Sequence, residues 1–292
     1  MFLLHYLIFK KQNHANLLSY KSGFRQKLFY ISIMSDFGLI ETIKVVNGRL
    51  VFKNLHVKRL FSGLKTINID ESEYKIEDRI LRLLKYECIE KGLKNFRLRI
   101  EVQKNRAHEY MPEISQLKWN CILKPLESVK YVWKEEGRKI TILPKHKKPI
   151  DIFANLKHTE RAIYDAALSY ARTNDFDDAI ILNENGHVAD AAIYNIFIIK
   201  DGIVYTPPLA DAPVAGVLRE LLLTRLPNIK IIEKTLSIMD VYNADEVFLT
   251  NAIRGIRWVE YVDERRYTNK ITKQIFEEFK AVVFEHFGEH LV

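Results

Sequence analysis

Cysteine is scarce in this chain, and its scarcity excludes two classes of protein. Only Cys88 and Cys121 occur among 292 residues, which is too few for a disulfide scaffold and too unpatterned for a zinc site. We therefore expect a reducing compartment and no bound metal. Both cysteines are interpreted as buried apolar residues.

Proline is also sparse, with eight residues, and neither a low-complexity tract nor an internal repeat is visible. Hydrophobic residues make up 48% of the chain and charged residues 28%. A composition of this kind supports a large buried core. At this length the sequence predicts a globular protein with two domains.

Long hydrophobic runs are absent as well. The apolar run from Phe2 to Phe9 is followed by Lys10 and Lys11, which inverts the order of a secretory signal, and it is too short to span a bilayer. These features predict a cytoplasmic protein that makes no membrane contact.

Basic charge is in excess but is not concentrated. The chain has 45 Lys and Arg against 37 Asp and Glu, a net charge of +8 that is spread along the sequence except at "PKHKKP", residues 144–149. A nucleic-acid binder would more often place this charge on one helix or between exposed aromatic residues. We interpret it as a solvated basic surface that helps modestly to attract an anionic substrate, and we predict no nucleic-acid partner.

The first part of the chain, residues 34–123, has the pattern of a small α+β domain. Its periodicity predicts strands at 40–48 and 49–52, helices at 54–67 and 77–91, and strands at 96–103 and 117–123. Residues 124–129 are the predicted linker, because they join two strand-like runs through a proline that cannot donate to a strand ladder. Residues 1–33 are either an N-terminal extension or displaced first strands, and Met34 is an alternative start.

The remainder, residues 130–292, is predicted to form a larger α/β domain. Its elements are a helix at 159–173 and strands at 179–182, 187–190, 194–200 and 203–206. The segments "NENG" and "KDG" between these strands are strong hairpin turns, because glycine accepts positive φ.

Two positions have the local chemistry of an anion site. The helix that opens at Ala215 or Gly216 in "AGVLRELLLTRL" leaves its first backbone N–H groups uncapped, and the helix dipole favours a phosphate there. The strand "DEVFLT" runs into "NAIRGI", a second turn whose N–H groups can meet an anion. Each signal is weak alone, because most helix starts bind only water.

Three charged residues are candidates for chemistry, and none is decisive alone. Asp190 lies between two apolar strands and needs a cationic or N–H partner if it is buried, although it can equally face solvent at a strand end. Lys157 precedes an amphipathic helix, and Arg59 lies one turn beyond His56 on the first helix. Both are also compatible with ordinary surface charges.

The order and spacing of these residues resemble the fold-type-IV, or class-IV aminotransferase, family of pyridoxal 5'-phosphate (PLP) enzymes. The matching motifs are "IETIKVVNGRL", "LHVKRL", "NLKHTER", the run of residues 177–209, "AGVLRELL" and "DEVFLTNAIRGIRWV". They cover most of the chain from Phe37 to about Val262. The resemblance implies an α/β (α+β), two-domain fold like that of D-amino-acid aminotransferase.

The resemblance also implies roles for individual residues. Lys157 matches the lysine that forms the Schiff base with PLP and shuttles a proton. Asp190 occupies the position of a glutamate that pairs with the pyridine nitrogen, and Arg59 matches the phosphate clamp. Backbone N–H groups that bind the phosphate match four positions: Val217, Leu218, Asn251 and Ala252.

Within this family, three features favour 4-amino-4-deoxychorismate lyase, which releases 4-aminobenzoate and pyruvate in folate synthesis. Arg161 follows the lysine in "KHTER", the "TNAIRGIRWV" segment resembles the lyase turn, and Thr42 matches a threonine implicated in proton transfer. Arg161 or Arg257 is a candidate for binding a substrate carboxylate. The alternatives are an aminotransferase for branched-chain or D-amino acids and, more distantly, a PLP-binding protein without turnover.

Two departures from the family pattern affect the substrate side. Residues 103–113 replace a glycine-rich turn that often borders the substrate, and the segment before Glu41 lacks the usual glycine-rich approach. The resemblance further implies a homodimer in which the small domain of one chain covers the active site of the other. The aromatic-rich segment 30–37 is a candidate for that contact. The expected substrate is a small anion that carries an amino group.

Overall fold

The computed structural model describes residues 37–86, 92–104, 117–226 and 228–292. Residues 38–292 belong to one compact unit. The predicted N-terminal segment 1–33, Cys88 and most of the segments 30–37 and 103–113 lie outside the described residues. The division into a small and a large domain at residues 124–129 remains a prediction.

The first sheet is antiparallel throughout and has the strand order β2-β1-β3-β4. Two helices follow its first hairpin. The elements are β1 (Gly38–Val46), β2 (Arg49–Leu50), α1 (Lys53–Thr66), α2 (Glu73–Leu84), β3 (Phe96–Lys104) and β4 (Leu117–Lys124). The predicted linker begins where β4 ends.

Two boundaries in this region differ from the predicted ones for local reasons. The second strand contains only two residues, because Phe52 adopts a left-handed conformation, with φ of 56°, and turns the chain into α1. Helix α2 begins four residues earlier than predicted, because the Ser72 side chain accepts a hydrogen bond from the Lys75 N–H and caps it.

The second sheet is mixed, with nine strands among the described residues in the order β10-β9-β8-β11-β12-β5-β6-β7, and β13 pairs with β12. Its strands are β5 (Arg138–Lys148), β6 (Asp178–Asn183), β7 (Val188–Ala191), β8 (Asn195–Lys200), β9 (Ile203–Thr206), β10 (Ile231–Glu233), β11 (Glu246–Asn251), β12 (Gly255–Val262) and β13 (Arg265–Arg266). The helices are α3 (Ala162–Thr173), α4 (Val217–Arg225), α5 (Ile238–Tyr242) and α6 (Lys270–Phe287). The predicted mixed α/β architecture is confirmed.

An aromatic cluster joins the two sheets. Phe197 and Phe248 stack on the second sheet with ring centroids 4.8 Å apart. Phe52, in the turn after β2, lies 6.4 Å from both Tyr131 and Phe279, and these residues belong to one buried core. This shared core holds the β1–α1 region against the larger sheet.

The segment that contains Lys157 is bonded directly to β1. The Ile40 N–H donates to the Lys157 carbonyl at 2.7 Å, and the Thr159 N–H donates to the Gly38 carbonyl at 2.8 Å. Helix α3 therefore begins at Ala162 instead of the predicted residue 159, because residues 157–159 pair with a strand of the other sheet. This pairing fixes Lys157 between the two sheets.

Two interpretations of single residues need correction. Lys148, the last lysine of the predicted solvated patch, is only 3% exposed, whereas residues 145–147 are exposed. Cys121 is half-buried, not buried, because it lies on the edge strand β4. In the described parts of the chain, no helix is long and apolar enough to cross a membrane.

Candidate active site

A cleft of about 250 Å³ is lined by residues of both sheets and the loops between them. Nine of the ten site residues predicted from the sequence line it: Thr42, Arg59, Lys157, Arg161, Asp190, Val217, Leu218, Asn251 and Ala252. These residues come from six separate parts of the chain. The fold therefore brings the sequence-predicted residues to one place.

Arg257 is the exception, and its candidate role in substrate binding stays a prediction. It is not among the residues that line the cleft. Its guanidinium donates to the backbone carbonyls of Val132 and Ile256 at 3.2 and 2.9 Å. Arg254 lines the cleft instead, because it lies in the turn between β11 and β12 and not on the strand.

Lys157 has the properties of a nucleophilic amine. It follows residue Asn155, whose side-chain amide donates to the carbonyls of Leu209 and Pro213 and so anchors the loop. Burial within the protein, together with the nearby Arg59 and Arg161 guanidiniums, lowers the pKa of Lys157 to about 7. A large fraction of this amine is therefore uncharged near neutral pH, as a lysine nucleophile requires.

Asp190 is 1% exposed and lies within an extensive hydrogen-bond network. The Asn195 amide donates to Oδ1 at 2.8 Å, and the Val214 backbone N–H donates to Oδ2 at 2.8 Å. The Lys148 ammonium and the Tyr164 hydroxyl also donate to Oδ2, at 3.3 and 3.4 Å. The buried carboxylate therefore has the partners that its burial demands, and the alternative of a solvent-facing strand end is wrong.

Lys148 is a residue that the sequence analysis missed. It forms an ion pair with Asp190 in which both side chains are at most 4% exposed. Burial raises the pKa of Asp190 and lowers the pKa of Lys148, and each partner opposes the shift of the other. No motif indicated this pair, because Lys148 stands in a run of basic residues whose other members are exposed.

Arg59 is held by a buried carboxylate. Its Nε and Nη2 donate to the two oxygens of Glu41 at 2.7 and 2.6 Å, and Nη1 donates to the Ala215 carbonyl at 3.3 Å. The His56 Nδ1 lies 2.6 Å from the same carboxylate. Burial by itself would raise the pKa of Glu41, but Arg59 and His56 lower it to about 2.

Glu41 and His56 could have been found from the sequence. Both stand inside motifs that match the family, and His56 and Arg59 are three residues apart, which places them on one face of α1. The interpretation of Arg59 as a solvated surface residue is wrong, because its side chain is 14% exposed and paired with Glu41.

The N-terminus of α4 opens onto the cleft beside Asp190. The helix begins at Val217 after Gly216, which provides no side-chain cap. A Cβ atom at Gly216 would come within 1.7 Å of the Asn195 Oδ1, so only glycine fits beside the amide that holds Asp190. Uncapped N–H groups and the positive end of the helix dipole together suit a bound anion.

The turn after β11 forms a second candidate anion site. The Asn251 Oδ1 accepts hydrogen bonds from the N–H groups of Ile253 and Arg254 at 3.1 and 2.8 Å. The Tyr131 hydroxyl donates to the Ala252 carbonyl at 2.7 Å, and the buried Lys44 ammonium donates to the Ile253 carbonyl at 3.3 Å. These hydrogen bonds fix the conformation of the turn.

Four arginines that line the cleft form what we call the arginine cluster: Arg97, Arg99, Arg161 and Arg254. The β1–β3 register places Arg99 opposite Thr42 and Arg97 opposite Lys44 on one face of the first sheet. The Arg97 Nε is buried and has no hydrogen-bond partner among the described residues. This concentration of guanidiniums can accept an anionic ligand with more than one carboxylate.

The pairing within the arginine cluster is incomplete. Arg99 pairs with Glu101 at 2.7 Å, and Arg254 pairs with Glu127, whose side chain is 74% exposed. Arg161 has the Asp165 carboxylate at 3.8 Å from its Nε. No group of His, Cys, Asp and Glu in the described residues is arranged to hold a metal ion.

Comparison with known proteins identifies a matching family model, a relative of similar length and structures with the same fold. The family model for amino-transferase class IV matches residues 38–262. The putative branched-chain-amino-acid aminotransferase of Methanocaldococcus jannaschii is 26% identical over 259 residues, which cover 84% of this chain and 86% of that protein.

Two solved structures show the same fold. The putative 4-amino-4-deoxychorismate lyase of Legionella pneumophila superposes with a TM-score of 0.71 at 22% identity, covering 84% of this chain and 90% of that one. A hypothetical aminotransferase from Mycobacterium tuberculosis, in its PLP-bound form, superposes with a TM-score of 0.69 at 19% identity, covering 85% and 89%. Because the family model covers most of the sequence and the cleft holds the family's motif residues, this chain belongs to the class IV aminotransferase family of PLP-dependent enzymes.

Proposed function

We propose that this enzyme is a lyase that converts 4-amino-4-deoxychorismate into 4-aminobenzoate and pyruvate. The observation that carries the proposal is the arginine cluster on the cleft wall. The proposed substrate bears two carboxylates besides its amino group, and guanidinium groups bind carboxylates with two parallel hydrogen bonds. A branched aliphatic side chain carries no charge with which these guanidiniums could pair.

The cleft residues fit the family's cofactor. Class IV aminotransferases use PLP, and we propose that the Lys157 amine binds its aldehyde and that Asp190 faces its pyridine nitrogen. Arg59, the N-terminus of α4 and the Asn251 turn are the proposed phosphate ligands. When bound, PLP withdraws electrons from the carbon that carries the amino group of the substrate.

Lys157 is the proposed proton carrier. Once the amino group of the substrate has replaced Lys157 on the aldehyde carbon, the freed and uncharged Lys157 amine would accept the proton from the ring carbon that bears the amino group. The electron pair of that C–H bond completes the aromatic ring, and the C–O bond to the enolpyruvyl group breaks. The departing enolpyruvate takes up a proton and becomes pyruvate, and Thr42 on the facing strand is the proposed relay for that proton.

An aminotransferase acting on branched-chain or D-amino acids is the second candidate. Its support is the name of the Methanocaldococcus jannaschii relative, which spans most of this chain. The arginine cluster is also compatible with the second carboxylate of 2-oxoglutarate or glutamate. A PLP-binding protein without turnover is the third candidate. For each, we propose a cytoplasmic homodimer.

One assay separates these candidates. Purified protein saturated with PLP is incubated with 4-amino-4-deoxychorismate in the absence of any 2-oxo acid, and 4-aminobenzoate and pyruvate are quantified. We expect both products in equal amounts. Amino transfer from leucine or D-alanine to 2-oxoglutarate, without pyruvate release from 4-amino-4-deoxychorismate, would replace the lyase by the aminotransferase.

A further inference from the structure

We propose that Lys148 is a positioning residue that keeps Asp190 ionised and oriented toward the cofactor site. The inference rests on the PLP site proposed above and extends it to a residue outside the cleft lining. Asp190 and Tyr164 line the cleft, whereas Lys148 does not. Lys148 therefore acts through Asp190 and not by direct contact with the cofactor.

The geometry of the four donors to Asp190 singles out Lys148. The Asn195 amide, the Val214 N–H and the Tyr164 hydroxyl are neutral, and the ammonium of Lys148 is the one charged donor among them. Neutral donors reduce the desolvation penalty of a buried carboxylate but do not neutralise it. An ion pair with excluded solvent supplies the missing compensation.

An irregularity in β5 turns Lys148 inward. Strand β5 pairs with β6 at residues 140–142 and again at 147–148, and the register shifts between these two segments. Lys145, inside the shift, has φ of 65° in the left-handed region. Such interruptions re-aim the side chains that follow them, and Lys148 is the first residue after the exposed segment to be buried.

The side-chain length at position 190 gives this pair a specific purpose. Aspartate is one methylene shorter than the glutamate that the family resemblance leads us to expect here, so its carboxylate reaches less far toward the cleft. Lys148 contacts Oδ2, whereas Oδ1 is held by Asn195. Together these contacts fix both oxygens of the shorter side chain, which restricts its rotation before the cofactor arrives.

A double-mutant cycle tests the inference. The variants are Lys148→Met, Asp190→Asn and the combination, and the measured quantities are the dissociation constant for PLP and the turnover number. We expect Lys148→Met alone to cut turnover by about tenfold to a hundredfold, the range for loss of an outer partner of a site residue. Added to Asp190→Asn, it should change turnover by less than about twofold, because its route of action is already removed.

Lys147→Met is the matched control, because Lys147 is the exposed neighbour and its ammonium donates only to the Glu184 carbonyl among the described contacts. It should leave both quantities unchanged. Thermal unfolding of the cofactor-free proteins checks folding, and the combined variant removes both buried charges, so it leaves no unpaired charge behind.

Two results would overturn the role of Lys148. The first is normal turnover and PLP affinity in Lys148→Met. The second is a combined variant whose fold loss of turnover equals the product of the losses in Lys148→Met and Asp190→Asn. The dissociation constants for PLP do not depend on which reaction the enzyme catalyses. A failure of the lyase assay is therefore distinguishable from a failure of this inference.

Discussion

Two sets of charged groups at the site, the buried carboxylates of Glu41 and Asp190 and the arginine cluster, differ in how completely they are paired before any ligand binds. The carboxylates of Glu41 and Asp190 are at most 1% exposed, and each is bonded to a cation and to further partners. In the arginine cluster the Arg97 Nε has no partner among the described residues, and Arg254 relies on an exposed glutamate. The two carboxylates are preorganised, whereas the arginine cluster leaves hydrogen-bond donors available.

This difference matches what each set of groups is proposed to bind. A resident cofactor benefits from groups that are fixed in advance, because no reorganisation is needed when the reaction occurs. A substrate that enters and leaves at each turnover needs donors whose partners it can replace. The contrast can be tested. Substitutions of the paired carboxylates should weaken PLP binding or chemistry, whereas substitutions in the arginine cluster should weaken substrate binding.

Lys157→Ala should have the largest effect, because Lys157 is the proposed nucleophile. We expect turnover to fall by about a thousandfold or more, as on loss of other catalytic nucleophiles. In the unsubstituted protein, the rate of PLP capture should fall as the pH decreases below about 7, the pKa of Lys157. Stopped-flow absorbance measures the rate of PLP capture in both proteins. A capture rate that does not change between pH 6 and 8 would contradict the assignment of Lys157 as the nucleophile.

Asp190→Asn should have the next largest effect. Removing the charge should cut turnover about a hundredfold to a thousandfold, the range for loss of a preorganised electrostatic contact. The affinity for PLP should weaken only modestly, because Arg59 and the backbone phosphate ligands remain. Asp190→Glu is the matched comparison and should keep a substantial fraction of activity. Near-normal turnover in Asp190→Asn would show that the carboxylate has only a structural role.

Glu41→Gln tests the other paired carboxylate through the stability of the protein. Losing one partner of a buried ion pair should cost about 3 kcal/mol or more of unfolding free energy. The pKa of Glu41 is lowered to about 2 from an ordinary value of 4.5, so its stabilising contribution is present above pH 4.5 and is lost as the pH falls toward 2. Denaturant titrations of both proteins at several pH values should show this difference, and parallel pH profiles would rule it out.

Arg97→Met should have the smallest of these effects and should act on substrate alone. Losing a charged donor to a carboxylate should raise KM about tenfold, with little change in kcat or in the dissociation constant for PLP. Arg49→Met, at an exposed position on β2 of the same sheet, is the control and should change none of the three. A loss of PLP affinity in Arg97→Met would remove the distinction between the paired carboxylates and the arginine cluster.

The sequence predicted the strands between residues 178 and 206 well, because glycine and asparagine in the intervening turns have strong local preferences. It also placed Lys157, Asp190 and Arg59 through the spacing of family motifs. Strand periodicity further places Arg97 and Arg99 on one face of β3, although the face itself follows only from the β1–β3 register.

Other features depend on contacts between distant parts of the chain and could not be predicted. The late start of α3 follows from the pairing of residues 157–159 with β1, which no local pattern encodes. The burial of Lys148 follows from an interruption in β5, and its basic neighbours concealed it. Both features position cleft residues, so tertiary contacts determined the parts of the site that local sequence could not.

The most direct test of this account is to identify the lysine that carries the cofactor. Borohydride reduction of the PLP-saturated protein, followed by proteolysis and mass spectrometry, locates the pyridoxyl group. We predict a single label on Lys157, which lines the cleft and whose amine is largely uncharged above about pH 7. A label on Lys44 or Lys148, which are also buried, or the absence of any label would contradict the proposed site.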